Sequence, residues 1–296
     1  MYACAMSWTI ATLVEHAIER FLEEKIFCGH GPLDESEEAE FLVLRSLGID
    51  FETPFDYEQP VPEDKAREVL ARIERRAADK VPTSYILKEA WLAGQRFYCD
   101  ERVLVPRSFI AELLDEGLEP WVLDPEAVTS VLDLCTGSAC LAILAHLAFP
   151  NARVTASDIS QDALEVAEIN LEMHKAQDSV TLKRSDLFAA LPGEKFDVIV
   201  SNPPYVTREA MDALPEEYRK EPALGLAAGD DGLDVVRRIL AEAAGHLNEG
   251  GLLFVEVGDA RQALEAAYPK TPFMWLSTQT EESMVFMLAK KDLPAC

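Results

Sequence analysis

Basic residues are scarce in this chain: 27 Lys and Arg stand against 53 Asp and Glu in 296 residues, a formal charge of −26. Duplex nucleic acid is gripped at its phosphates by Lys and Arg, so no direct nucleic-acid binding is expected, and none to an anionic membrane surface. Long apolar runs are missing too. No stretch approaches the roughly 18–20 apolar residues of a membrane span. Met1 to Trp8 has no basic region ahead of an apolar core, so no secretory signal is expected. The cysteines (Cys4, Cys28, Cys99, Cys135, Cys140, Cys296) form no C-x-x-C pair and the five histidines are scattered, so no metal site is expected. Scattered thiols suit a reducing cytoplasm, the expected location. The chain also lacks G-x-G-x-x-G and Gly-Lys-Ser/Thr, which excludes the common phosphate loops.

What is present is a globular composition, 49% hydrophobic and 27% charged, long enough for an α/β domain and a smaller one. Residues 8–27 read as an amphipathic helix with Ile10, Leu13, Ala17, Ile18 and Phe21 at helical spacing. Cys28-Gly29-His30-Gly31-Pro32 breaks it. The acidic stretch 34–40 opens a second helix to Gly48, and a Pro-containing connection leads to a third over 63–79. Residues 84–105, with Tyr85, Ile86, Trp91, Phe97 and Tyr98, predict a β-hairpin, with a helix from about Ser108. From Ser130 strand and helix alternate: strands over 131–134, 154–157, 180–182, 196–200 and 252–257, helices over 138–149, 160–174, 232–247 and 259–267, and last strands near 273–277 and 284–288, expected to pair antiparallel. Such alternation with short connections predicts an α/β fold with a doubly wound, mostly parallel sheet. Three parts are expected: a helical domain over 1–80, a β-hairpin connector over 81–107 and a sheet domain over 108–296.

The chemistry collects at the ends of the predicted strands, where a doubly wound sheet binds its ligands. Asp133-Leu134-Cys135-Thr136-Gly137-Ser138-Ala139 is a small-residue turn that lets backbone approach a ligand closely. Its acid would repel phosphate and suit a cationic amino group. Asp158 ends the second strand, where a carboxylate can accept from both ribose hydroxyls. Asp186, after the third strand, reads either as an acceptor for an adenine amino group, with Leu187 on the base, or as a helix N-cap. Asn202-Pro203-Pro204-Tyr205 follows the fourth strand. Paired prolines fix the backbone, the Asn amide offers an acceptor and donors, and Tyr offers a ring face. Together they can clamp a planar –NH₂ group.

These residues resemble the class I S-adenosylmethionine-dependent methyltransferases that act on planar amino nitrogens. Val103-Leu104-Val105-Pro106-Arg107-Ser108, Cys28-Gly29-His30-Gly31, Leu214-Pro215-Glu216-Glu217-Tyr218 and the run from Glu221 to Gly232 narrow the resemblance to the bacterial protein-(glutamine-N5) methyltransferases of the third large-subunit ribosomal protein, L-three. The sister family, which modifies peptide-chain release factors, tends to carry Pro-Arg-Pro-Asp-Thr-Glu where this chain has Pro106-Arg107-Ser108-Phe109-Ile110-Ala111. That activity is the alternative, followed by adenine amino-methylation of nucleic acid.

The resemblance implies a seven-stranded Rossmann-like domain and S-adenosylmethionine as cofactor, held by Asp133, Cys135, Thr136, Gly137, Ser138, Ala139, Asp158, Asp186, Leu187 and Asn202. It implies methyl transfer to a glutamine amide nitrogen, with Asn202, Pro203, Pro204 and Tyr205 aligning the amide and no general base. The substrate would be the basic ribosomal protein before ribosome assembly, attracted by the acidic chain. Glu37, Glu38 and Glu40 are the acids expected to steer it. Two departures stand out. Ala139 occupies a position where the family usually has Gly; its methyl is the smallest group that could crowd the ligand or the helix start, and activity is expected to survive it. The C-terminal turn at 279–283 lacks the expected glycines.

Overall fold

Local chemistry sets the first helices. Thr9 and Thr12 form a reciprocal capping box, each side chain accepting from the other's backbone N–H, and start α1 (Ile10–Glu24). Asp34 accepts from the Ser36 and Glu37 amides and starts α2 (Glu35–Ser46). Two further helices, α3 (Glu63–Ala77) and α4 (Thr83–Leu87), each follow a proline. The computed structural model describes residues 8–31, 34–51, 53–278 and 282–294. Met1–Ser7, Pro32, Gln279–Glu281 and Cys296, which bear on the expectations for the two ends, the first helix break and the late turn, lie outside the described residues.

The chain divides into two units: Met1–Glu89 with Pro215–Lys220, and Ala90–Leu214 with Glu221–Cys296. In the first, Leu13, Ala17 and Phe21 of α1, Leu42 of α2 and Val69 and Ile73 of α3 form a buried core. Burying one such side chain contributes about 1.5–3 kcal/mol, which short isolated helices need. Buried beside it lies an ionic cluster. Arg76 donates to Glu38, to Glu217 at 3.1 Å and to the Phe27 carbonyl at 3.0 Å, and Thr83 donates to Glu38. The Phe27 amide donates to Glu217, and the Tyr218 hydroxyl donates to the Gly29 carbonyl. Residues 215–220, distant in sequence, are thereby built into the helical unit.

Two expectations change here. Residues 83–87 are helical although Tyr85 and Ile86 favour strands; both are buried in this unit, and burial outweighs intrinsic propensity. Glu38 is not a surface acid: it is 3% exposed and paired with Arg76. The periodicity of α2 turns it inward, whereas Glu37 remains exposed and Glu40 accepts from the Tyr57 hydroxyl.

The second unit opens with a hairpin, β1 (Ala90–Leu92) and β2 (Gln95–Phe97), joined by Ala93 and Gly94, both at positive φ. Then come α5 (Ile110–Asp115), β3 (Ser130–Leu134), α6 (Cys140–Ala148), β4 (Arg153–Asp158), α7 (Gln161–His174), β5 (Val180–Arg184), β6 (Phe196–Ser201), α8 (Arg208–Ala213), α9 (Asp234–His246), β7 (Leu247–Glu256), α10 (Arg261–Ala267), β8 (Met274–Ser277) and β9 (Glu282–Ala289). The seven-stranded sheet runs β5-β4-β3-β6-β7-β9-β8. Its first five strands are parallel, and β9 is antiparallel to both neighbours. Separate apolar clusters include Leu141 and Ile143 of α6 in one and Val236 and Ile239 of α9 in the other. This is the doubly wound sheet that the β/α alternation predicts. The winding reverses between β3 and β6, and the crevice at such a switch point is the usual ligand position. The register pairs Leu134 with both Ser157 and Ser201. Cys135, Asp158 and Asn202 therefore leave their strands on one row. No helix among the described residues is long and apolar enough to cross a membrane.

Candidate active site

At this row the sheet unit holds a cavity of about 260 Å³. Its wall includes Cys135, Thr136, Gly137, Ser138, Asp158, Asp186, Leu187, Asn202 and Pro204, contributed by the ends of four strands. Val105, Pro106, Arg107 and Ser108 line it as well. Four expected site residues do not reach the wall. Asp133 and Ala139 are wholly buried behind the turn, Pro203 is buried, and Tyr205 stands half-buried off the lining.

The turn between β3 and α6 is built from alternating left-handed residues: Cys135 at φ 59°, Gly137 at 55° and Ala139 at 63°. Only glycine adopts this region freely, so Cys135 and Ala139 carry strain of roughly 1–2 kcal/mol each. The helix begins at Cys140 rather than Ser138 because Ala139 is not in a helical conformation. The Ala139 methyl does not crowd the cavity; its effect is on the backbone. The turn is pinned from outside. The Thr136 amide donates to the Ser157 carbonyl and the Gly137 amide to Asp158 Oδ2 at 2.9 Å. Asn170 of α7, wholly buried, donates to the Ser138 and Tyr98 carbonyls and accepts from the Tyr98 amide. No sequence signal singled out Asn170, a polar residue on an amphipathic helix.

Asp158 Oδ1 accepts from the Ser160 amide at 2.8 Å. Burial raises its pKa, against the pull of the Ser160 and Gly137 amides. Backbone amides hold both oxygens, and the carboxylate keeps further lone-pair capacity toward the cavity it lines. Asp133 Oδ2 accepts from the Thr136 hydroxyl at 2.5 Å, while Oδ1 has no hydrogen-bond partner. Burial pushes Asp133 up to about 7. Ser157 Oγ, on a residue of the cavity wall, also lacks a partner. Asp186 is exposed and pairs with Arg238 of α9 at 2.9 Å; no helix follows it, so it caps none. Arg238, which also lines the cavity, carries no distinguishing signal in the sequence.

Around Asn202–Tyr205 the side chains are fixed in turn. Asn202 Nδ2 donates to the Arg107 carbonyl at 3.2 Å. The Tyr205 ring lies so close to Gly258 that a Cβ there would come within 2.6 Å of it. The Tyr205 hydroxyl reaches Glu256 Oε1 at 3.3 Å. Glu256, at the end of β7, is 2% exposed and also accepts from the Ser108 hydroxyl at 2.6 Å and the Phe109 amide at 2.9 Å. Burial raises its pKa, opposed by these donors. Its signal was visible: an acid closing the apolar strand Leu252-Leu253-Phe254-Val255, beside the ligand edge of the sheet.

The groups on this wall suit S-adenosylmethionine. The backbone-held carboxylate of Asp158 fits a ribose diol, and Leu187 beside Asp186 fits a base with an exocyclic amino group.

Residues 109–217 match the model of the methyltransferase small domain. The chain is 49% identical to the ribosomal protein uL3 glutamine methyltransferase of Burkholderia pseudomallei, covering 97% of this chain and 96% of that protein. It is 42% identical to the protein of the same name from Francisella tularensis, covering 96% and 91%. Among solved structures it is similar to a methyltransferase from Pyrococcus furiosus, with 19% identity, a TM-score of 0.47, and 77% and 99% of the two chains covered. With identity this high along nearly its whole length, the chain belongs to the family of ribosomal protein uL3 glutamine methyltransferases.

Proposed function

We propose that this chain transfers a methyl group from S-adenosylmethionine to the side-chain amide nitrogen of a glutamine in ribosomal protein uL3. The observation that carries the reading is that Asn202 and Pro204 share one cavity wall with the 135–138 turn, Asp158 and Asp186. A place for the methyl donor and a clamp for a planar amide thus adjoin, which satisfies the proximity that a transfer between two bound molecules requires. The names of the relatives supply the acceptor.

Bound S-adenosylmethionine supplies an electrophilic methyl on a sulfonium, so the protein needs no nucleophile of its own. Asp158 would accept from the ribose hydroxyls, Asp186 from the adenine amino group with Leu187 against the base, and the turn from Cys135 to Ser138 would frame the remainder. Asp133 acts on this site from behind, through Thr136. An amide nitrogen is a weak nucleophile because its lone pair is delocalised. Asn202 Oδ1, on the cavity wall, accepts one of its hydrogens and shifts electron density toward nitrogen. Pro204 fixes the backbone, and the Tyr205 ring, held by Gly258 and Glu256 off the lining, buttresses that turn. The proton leaves to water after alkylation.

The helical unit docks the substrate, a basic protein met in the cytoplasm before ribosome assembly. Opposite charge speeds that encounter. The test offers radiolabelled cofactor with free uL3, a release factor or RNA. Label on a glutamine amide of uL3 is expected, and Asn202→Ala should lower its rate by about 10²-fold. Label on the release factor or on RNA instead would overturn the assignment.

A further inference from the structure

We propose that Glu221 is a positioning residue for methyl transfer: through Arg107 it sets which end of the Asn202 amide faces the substrate. This rests on the role given to Asn202 above. The glutamate lies in the loop before α9, and its side chain is 0% exposed. Its two oxygens accept from the two terminal nitrogens of Arg107, at 2.6 and 2.7 Å. Oε1 also accepts from the Val105 amide at 2.9 Å, and Arg107 Nη1 reaches back to the Val105 carbonyl at 3.2 Å. A two-point pair between guanidinium and carboxylate fixes direction as well as distance. The backbone from Val105 to Arg107 is therefore tied at both ends to one buried carboxylate. The next two residues, Ser108 and Phe109, are tied to a second, Glu256. The Arg107 carbonyl lies between these two anchors, and it is the acceptor for Asn202 Nδ2.

The acceptor matters because a side-chain amide has nearly the same shape when turned over, while its hydrogen-bonding sense reverses. The terminal torsion of Asn is broad, so shape alone does not choose between the two. With Nδ2 given to the Arg107 carbonyl, Oδ1 is presented as an acceptor. Turned over, Asn202 would place its NH₂ against the NH₂ of a substrate amide and its oxygen against the Arg107 carbonyl. Both contacts are repulsive. A fixed Arg107 carbonyl thus selects the productive state of the clamp, and Glu221 fixes that carbonyl.

The experiment uses the full chain, with cofactor affinity measured by calorimetry and turnover of uL3 measured at saturating cofactor. Glu221→Gln keeps the volume and one oxygen for the Val105 amide but loses the ionic fork. Its kcat should fall about 10-fold, the scale of one misplaced hydrogen bond, with the KM for uL3 and the cofactor affinity within about 3-fold of the parent. Glu221→Gln added to Asn202→Ala should lower kcat no further, because the atom it orients is gone. Multiplied losses in the double variant would overturn the positioning role, as would a Glu221→Gln effect confined to cofactor affinity or thermal midpoint. Full turnover by Asn202→Ala would instead overturn the clamp itself. Arg107→Lys keeps the charge but not the fork. It should show a smaller kcat loss and the same lack of additivity, and it serves as the test if Glu221→Gln does not fold.

Discussion

Arg76 and Asp133 are both shut away from water, and their surroundings differ in kind. All three guanidinium nitrogens of Arg76 donate, to Glu38, Glu217 and the Phe27 carbonyl. Burial works against its charge, and the two carboxylates override that and raise its pKa. Asp133 has one bonded oxygen and one without a partner, and it sits under a turn with two non-glycine residues at positive φ. The first cluster spends its hydrogen-bonding capacity on the fold. The second leaves an unbonded carboxylate oxygen and backbone strain directly behind a cavity wall, the pattern of a functional site rather than of a structural core.

The contrast can be broken at several points. Arg76→Ala should have the largest effect. It strands two buried carboxylates and should destabilise the protein by about 3–5 kcal/mol, read by chemical denaturation; a loss within the range of a surface substitution would show that the cluster is not structural. Asp158→Ala should instead act mainly on the ligand and weaken S-adenosylmethionine binding by about 2–3 kcal/mol. Calorimetric titration with unchanged affinity would remove Asp158 from the site.

Asp133 gives a pH signature. Its folded pKa of about 7 lies above that of an unfolded aspartate. The folded state therefore holds the proton more tightly, and stability declines as pH rises through the interval and is lowest above about 7. Asp133→Asn lacks that decline, so between pH 5 and 8 it should gain on the parent by about 2–3 kcal/mol. Denaturation at the two pH values measures the gain, and a constant difference would contradict the burial of an ionisable group. Asp100, held down to about 2 beside Arg102, loses its contribution only at lower pH and does not obscure the window.

Ala139→Gly should relieve left-handed strain and, after the entropy of the added glycine, stabilise by about 0.5–1 kcal/mol. A lowered thermal midpoint would mean that the Ala139 methyl packs usefully in the core. The smallest effect is kinetic. Glu37→Lys should slow capture of uL3 a few-fold at low ionic strength and hardly at high, because salt screens exposed charge; equal slowing at both would argue for a contact rather than steering.

The strands were legible because a buried parallel strand is a short apolar run between turn signals, as in Val131-Leu132-Asp133-Leu134 and Phe196-Asp197-Val198-Ile199-Val200. Asn202-Pro203-Pro204-Tyr205 and the 135–139 turn were legible because their residue types are unusual directly after such runs. Glu38 was misread as a surface acid because charge in sequence says nothing of which helix face it occupies without the packing partner. Glu256 and Glu221 were visible as residues but not as anchors, since their partners lie 148 and 114 residues away.

By itself, then, the sequence determined the β/α alternation from Ser130 onward, the winding of the sheet and the chemical types gathered at its edge, because periodicity and backbone preference act over a few residues. Tertiary structure alone decided that Asp133 and Ala139 stand behind the cavity wall, that residues 215–220 belong with the first helices, and which way the Asn202 amide faces. Each of those depends on a partner brought close only when distant segments pack, and the free energy of a buried charge or hydrogen bond is set by that partner.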